Sequence, residues 1–133
     1  MGTIMKLWVD DLRTPPNGYD LWAKNYDEAV AFIDKYSQDI THISFDHDID
    51  SFDENGNELT GYAVAVYIEQ QIYYGDFNAI VLQGIQVHTS NPSGSKKILA
   101  FAYHIKDRFN NDLQVYHAPY ESMGECDSFG LKK

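Results

Sequence analysis

Apolar and polar positions along the chain alternate between a strand rhythm and a helix rhythm. Residues 4–9 are apolar apart from Lys6 and stop at Asp10-Asp11. A short continuous apolar run suits a strand covered on both faces. Thr14-Pro15-Pro16-Asn17-Gly18 has the chemistry of a turn. Asn25 offers a helix cap, with Glu28 three residues on as the return half of a capping box. Ala29, Val30, Ile33 and Tyr36 then recur at helical spacing. Residues 40–45 read as a second strand, ending in Asp46-His47-Asp48, and residues 49–59 as a polar, acidic loop. Thr60 caps a second helix over 62–73, with Val64, Ile68 and Ile72 on one face. Gln83 and Gly84 interrupt the apolar stretch 80–87 and place a core strand at 85–87, ending in His88-Thr89-Ser90. Asn91 caps a third helix, whose first position suits Pro92. That helix runs to about Phe109 and Asn110-Asn111 ends it; residues 113–116 form a last strand. The tail 119–133 shows no period and reads as irregular.

Strands alternating with helices predict an α/β fold, a mostly parallel sheet with helices on both faces in three layers, as one domain over 1–133. Ligands of such sheets bind outside the carboxyl ends of the strands. The charged and polar clusters fall there: Asp10, Asp11 and Arg13 after the first strand, Asp46, His47 and Asp48 after the second, His88, Ser90 and Asn91 after the third. Three remote segments are thereby expected to converge on one rim.

Composition narrows the function. A chain of 133 residues with net charge −10 is a poor match to duplex DNA or to anionic lipid. The single cysteine, Cys126, excludes an internal disulfide and multi-cysteine metal cages. No apolar stretch is long enough to span a membrane, and Asp10-Asp11 cut the early apolar run too soon for a secretory signal. Met1-Gly2 starts like a myristoylation site, but Lys6 stands where Ser or Thr is required. A cytoplasmic protein is expected. Ten tyrosines suggest surface or ligand contacts, with Tyr73-Tyr74 or Tyr116 and Tyr120 able to stack a base, although packing is their plainer use.

Each cluster has a chemical and a plain reading. Asp10 and Asp11 repel each other unless a hard cation such as Mg²⁺, or Arg13, sits between them; the plain reading is a solvated turn. In Asp46-His47-Asp48, alternation points the two acids one way and the imidazole the other. A carboxylate beside an imidazole fixes its tautomer and raises its basicity, as a general acid/base or a metal ligand requires. In the run from His88 to Lys97, a strand feeds a helix start through small residues. Free N–H groups, the helix dipole, the hydroxyls of Ser90, Ser93 and Ser95, close approach at Gly94, and Lys96 or Lys97 would cradle a phosphate. His88 at the rim would protonate a leaving oxygen. No G-x-x-x-x-G-K-[ST] loop is present. Residues 48–58 fail as a calcium loop: with Gly56 at position six, Ser51 and Tyr62 fall at ligand positions one and twelve. That loop reads as a mobile insert or lid. His42, His104 and His117 are expected to be structural.

Taken in order, Trp8-Val9-Asp10-Asp11-Leu12-Arg13, Ile43-Ser44-Phe45-Asp46-His47-Asp48, Gly61-Tyr62 and Val87-His88-Thr89-Ser90-Asn91-Pro92-Ser93-Gly94 resemble the cyclic-phosphate-processing receiver-like domains over about residues 5–105. The resemblance implies a receiver-like (flavodoxin-like) fold. In receivers an acidic pair after the first strand binds Mg²⁺ and a later strand-end Asp accepts phosphate. Asp10 and Asp11 match the pair, and Asp46 sits near the acceptor's place, so the resemblance allows Mg²⁺ or another divalent cation on Asp10, Asp11 and Asp46 without requiring one. His47 and His88 have no receiver counterpart, and no terminal-strand lysine is obvious near 113–117, which separates this chain from phosphorelay. The resemblance implies the role proposed for that family, whose members occur in bacteria and phages: processing of cyclic phosphates on nucleotides or RNA ends.

The resulting expectation is a phosphoesterase acting on a small nucleotide-derived cyclic phosphate. Arg13 would clamp oxygens, His47 and His88 would serve as acid and base, and Asp46 or Asp48 would orient His47. The alternatives are a non-catalytic sponge for a cyclic nucleotide, of use to a phage against a defence signal, and a degenerate receiver working through protein contacts.

Overall fold

The computed structural model describes residues 4–118. Met1-Gly2, Tyr120, Cys126 and the tail expected over 119–133 lie outside the described residues. Five short strands, β1 (Met5–Val9), β2 (Leu21–Ala23), β3 (Ile40–Phe45), β4 (Gly84–Val87) and β5 (Gln114–His117), form an all-parallel sheet in the order β2-β1-β3-β4-β5. Three helices connect them: α1 (Tyr26–Lys35), α2 (Gly61–Tyr74) and α3 (Pro92–Arg108). This is the receiver-like, flavodoxin-like α/β fold.

The caps are where the sequence puts them. Asn25, Thr60 and Asn91 each accept a backbone N–H in the first turn of their helix, from Glu28, Ala63 and Gly94, and Pro92 opens α3. Gly75 ends α2 in the left-handed region at φ 81°, which a glycine adopts without steric cost. No helix among the described residues is long and apolar enough to cross a membrane.

Two features depart from expectation. Leu21–Ala23 is a fifth strand; three residues at a sheet edge carry too little pattern to announce themselves. The described helices also form one layer rather than flanking the sheet. From β2 through β3 and β4 to β5 every crossover steps the same way, so right-handed connections put α1, α2 and α3 on the same face. The β1–β2 connection, which runs the other way, is a loop where a helix would have covered the second face.

The sheet therefore has two unlike faces. Leu7, Val9, Ile43, Phe45, Ile85 and Val87 point at the helices and join Ile33, Ile68, Ile98 and Ile105 in one apolar core. On the opposite face the register lines up Trp22, Trp8, Ser44, Gln86 and Tyr116 across all five strands.

Candidate functional site

The site lies just past the carboxyl ends of β1, β3 and β4, where each strand adds one more rung. Asp10 donates its N–H to Ala23, Asp46 to Val9 and His88 to Phe45, at 3.0, 2.8 and 2.9 Å. These bonds fix the three backbones in register before any side chain is considered. Asp10 Oδ1 then accepts the N–H groups of Leu12 and Arg13, at 2.9 and 2.8 Å. That Asx turn swings Asp11 and Arg13 over the strand ends.

Asp10, Asp11 and Asp46 each present an oxygen within 4.8 Å of the others. Asp10 is fully buried and Asp46 nearly so. Burial pushes the Asp46 and Asp11 carboxyls up, and the neighbouring Asp10 charge adds to it. Burial acts on Asp10 as well, but bonds from His88 and from the backbone of Arg13 and Leu12 outweigh it and hold that carboxyl below its ordinary value. Three crowded acids with all-oxygen donors are what a hard divalent cation requires, and this triad can hold one. Arg13 brings the nearest positive charge, its Nη1 3.8 Å from Asp46 Oδ1.

The triad floors a cleft of about 440 Å³ whose walls carry Arg13, Asp48, Asp50, Glu58, Thr89 and Ser90. Thr89, nearly buried, stands beside Asp46 on the cleft wall. The expected alternation holds: Asp46 and Asp48 face the cleft while His47 turns away. His47 Nδ1 is 2.9 Å from Asp48 Oδ1, and Asn91 Nδ2 donates to Asp48 Oδ2 at 3.2 Å. These bonds overcome partial burial and hold the Asp48 carboxyl below its ordinary value.

Two close approaches seat this dipeptide. A Cβ on Gly61 would fall 1.8 Å from the Asp46 carbonyl oxygen, and one on Gly94 would fall 2.3 Å from His47 Cγ. Gly94 thus makes room for an imidazole of this chain rather than for a phosphate. Its N–H is taken by Asn91 Oδ1 at 3.0 Å, as is the Ser93 hydroxyl at 3.1 Å. Ser95 is buried and bonds to the Thr89 carbonyl. Lys97 lies over the Tyr62 ring and Lys96 is exposed. Of the expected phosphate cradle, Arg13 and Ser90 reach the cleft; Asn91 supports Asp48 beside it, and Ser93, Gly94, Ser95, Lys96 and Lys97 are not on its walls.

His88 is not at the rim. It is fully buried behind Asp10, with Nε2 2.9 Å from Asp10 Oδ2 and Nδ1 2.8 Å from Ser44 Oγ. Its ring is stacked on Trp8 at 3.8 Å and 3°. Burial lowers its pKa, against the pull of Asp10. It cannot touch a ligand in the cleft. Trp8, Ser44, Gln86, Thr89, Asp50 and Glu58 went unassigned in the sequence, although Thr89 stands inside the informative run and Asp50 and Glu58 inside the acidic loop.

That loop is built rather than loose. Ile49 is fully buried, Phe52 and Glu58 form a bridge, Asp53 Oδ1 gathers the N–H groups of Asn55 and Asn57, and Ser51 Oγ accepts from Tyr26 in α1. Among the remaining histidines, His42 bonds to Thr41, and His104 contacts Glu69 and Tyr73. Tyr73 packs edge-on against Phe109, away from the cleft.

A family model described as the cyclic-phosphate processing Receiver domain matches residues 5–104. No curated protein and no solved structure matches the chain.

Proposed function

The chain belongs to the cyclic-phosphate processing receiver family, and from that premise we propose that it is a phosphoesterase opening a cyclic phosphate on a nucleotide or an RNA end. The observation that carries the reading is the acidic triad with Arg13 beside it at the floor of one cleft. A bare cluster of acids would repel a phosphodiester. The same acids around a divalent cation, with a guanidinium and two hydroxyls on the wall, attract one.

Asp10, Asp11 and Asp46 would hold the cation, which supplies Lewis-acid polarisation of a phosphoryl oxygen. Arg13 pairs with the phosphoryl oxygens, and Ser90 donates to them from the opposite wall. Asp48 and His47 act as one unit. Asp48, facing the cleft and kept ionised, accepts a proton from the attacking water directly or passes it to His47. The new P–O bond forms as the ring P–O bond breaks, and the proton returns to the departing ring oxygen. Positioned acid/base groups contribute roughly 10²–10⁴-fold. His88 works from behind, holding Asp10.

The test is incubation with a panel of 2′,3′- and 3′,5′-cyclic nucleotides and cyclic-phosphate-ended RNA, with and without Mg²⁺, followed by denaturation and phosphorus NMR. A new phosphomonoester is expected. Intact ligand recovered from the denatured protein makes the chain a sponge. No binding, and no rise in melting temperature with any ligand, leaves a receiver that works through protein contacts.

A further inference from the structure

Beneath the acidic triad four polar side chains form one buried chain across three strands. Gln86, Ser44, His88 and Asp10 are all fully buried. Gln86 Nε2 donates to Ser44 Oγ at 2.9 Å; Ser44 Oγ meets His88 Nδ1 at 2.8 Å; His88 Nε2 meets Asp10 Oδ2 at 2.9 Å. With Asp10 a carboxylate and the Gln86 amide nitrogen turned to Ser44, one assignment of protons runs through the chain. Asp10 accepts two backbone N–H groups on Oδ1, and as a carboxylate it has only acceptors to offer at Oδ2. His88 Nε2 must then carry a hydrogen. Its Nδ1 is left to accept, and the hydroxyl of Ser44 donates to it. Ser44 is oriented in turn, because its oxygen takes the Gln86 amide hydrogen and its own proton has one direction left. The Trp8 face removes the remaining freedom of the ring.

We infer that Ser44 is a positioning residue for the acidic site: its hydroxyl, oriented by Gln86, anchors His88 Nδ1 so that the Nε2–H stays aimed at the Asp10 carboxylate and holds it in place to receive a cation. The inference rests on the triad being a cation site, as under the proposed function, and assigns the residue behind it. Ser44 is fully buried, so it touches neither cation nor substrate. Partners behind a ligand set affinity by fixing its orientation, and their loss typically weakens metal binding 10–100-fold. Without the hydroxyl, Nδ1 loses its donor and the ring is held on that side by its stacking on Trp8 alone, so the aim of the Nε2–H at Asp10 loosens.

Two readouts separate this role from a merely structural one. In the metal-free wild type, long-range ¹H–¹⁵N NMR is expected to place the His88 proton on Nε2. Ser44→Ala, which removes the Nδ1 partner, should move the His88 Nδ1 chemical shift, and Ser44→Thr should restore it. Calorimetric titration with Mn²⁺ should show affinity reduced at least tenfold in Ser44→Ala and restored in Ser44→Thr. Should Ser44→Ala fail to fold, Ser44→Cys keeps the shape with a weaker donor and is expected to lose affinity by an intermediate factor. A wild-type His88 protonated on Nδ1 overturns the inference, as does a folded Ser44→Ala or Ser44→Cys with unchanged Nδ1 shift and Mn²⁺ affinity. A wild type that binds Mn²⁺ in this Ser44-dependent way yet cleaves no cyclic phosphate overturns the proposed function and supports the inference. Hydrolysis with cation affinity indifferent to Ser44 does the reverse.

Discussion

Replacing Gly94 with Ala tests the seat of His47 by a change of sign. The new methyl would stand 2.3 Å from His47 Cγ and 2.7 Å from its Cβ. Those atoms are the root of the side chain, so the ring cannot swing aside by its tip alone. Overpacking of this kind costs about 1–3 kcal/mol. Gly94 lies in the first turn of α3, where Ala in place of Gly gains up to about 1 kcal/mol from helix propensity. The net expectation is a loss of about 0–2 kcal/mol in the single variant. With His47→Ala in place the clash is gone, and the same Gly94→Ala change should stabilise by up to about 1 kcal/mol. Urea denaturation of the four proteins closes the cycle, and the coupling energy should be about 1–3 kcal/mol. Equal effects of Gly94→Ala in both backgrounds would refute the contact and with it the account of how His47 is held beside Asp48.

Further expectations concern the charges and the loop. Asp46→Asn should stabilise the metal-free protein, because burial and Asp10 disfavour that carboxylate, and should remove any Mg²⁺-induced rise in melting temperature; a destabilised variant that still responds to Mg²⁺ would contradict the crowding argument. Asp11 and Asp46 have raised folded pKa values, so the folded state binds more protons than the unfolded one from the ordinary value of 3.8 upward to those raised values. Metal-free stability should therefore fall as pH rises through that window, and saturating Mg²⁺ should abolish the slope in calorimetric scans. Asp10 works oppositely: its lowered value contributes stability that is lost only as pH drops through a folded pKa below 3.8. Arg13→Ala should weaken binding of a cyclic nucleotide at least tenfold in equilibrium titration while leaving the urea midpoint nearly unchanged; unaltered affinity would remove Arg13 from the phosphoryl clamp. Ile49→Ala should cost about 2–5 kcal/mol, since Ile49 is fully buried, and a urea midpoint within error of wild type would show the loop to be unanchored.

Much of this architecture is legible in local chemistry, and what escapes is what depends on distance. Asn25, Thr60, Asn91 and Pro92 mark three helix starts because a cap is a short-range hydrogen bond. The strand at Ile40–Phe45 is bounded by composition alone. The meeting of Asp10, Asp11 and Asp46 follows from placing polar clusters at the carboxyl ends of parallel strands. The depth of His88 does not, because it is set by its seat against Trp8, Ser44 and Asp10, up to 80 residues away in the chain. Gly94 was assigned to a ligand for the same reason: the sequence shows that backbone is bare there but not that His47 fills the space. That the described helices share one face is hidden because it depends on strand order, and the short β2 that sets the order has little pattern of its own.

The parity of the strands separates cohesion from chemistry. Odd-numbered positions 7, 9, 43, 45, 85 and 87 supply the grease that keeps the protein folded, while their even-numbered neighbours 8, 44 and 86 supply the wiring behind the acids. Each set can thus be edited with little effect on the other: a relay residue can change without leaving a hole under the helices. The same arithmetic makes a slip of one residue between strands doubly punishing, since it would exchange grease and wiring at a stroke.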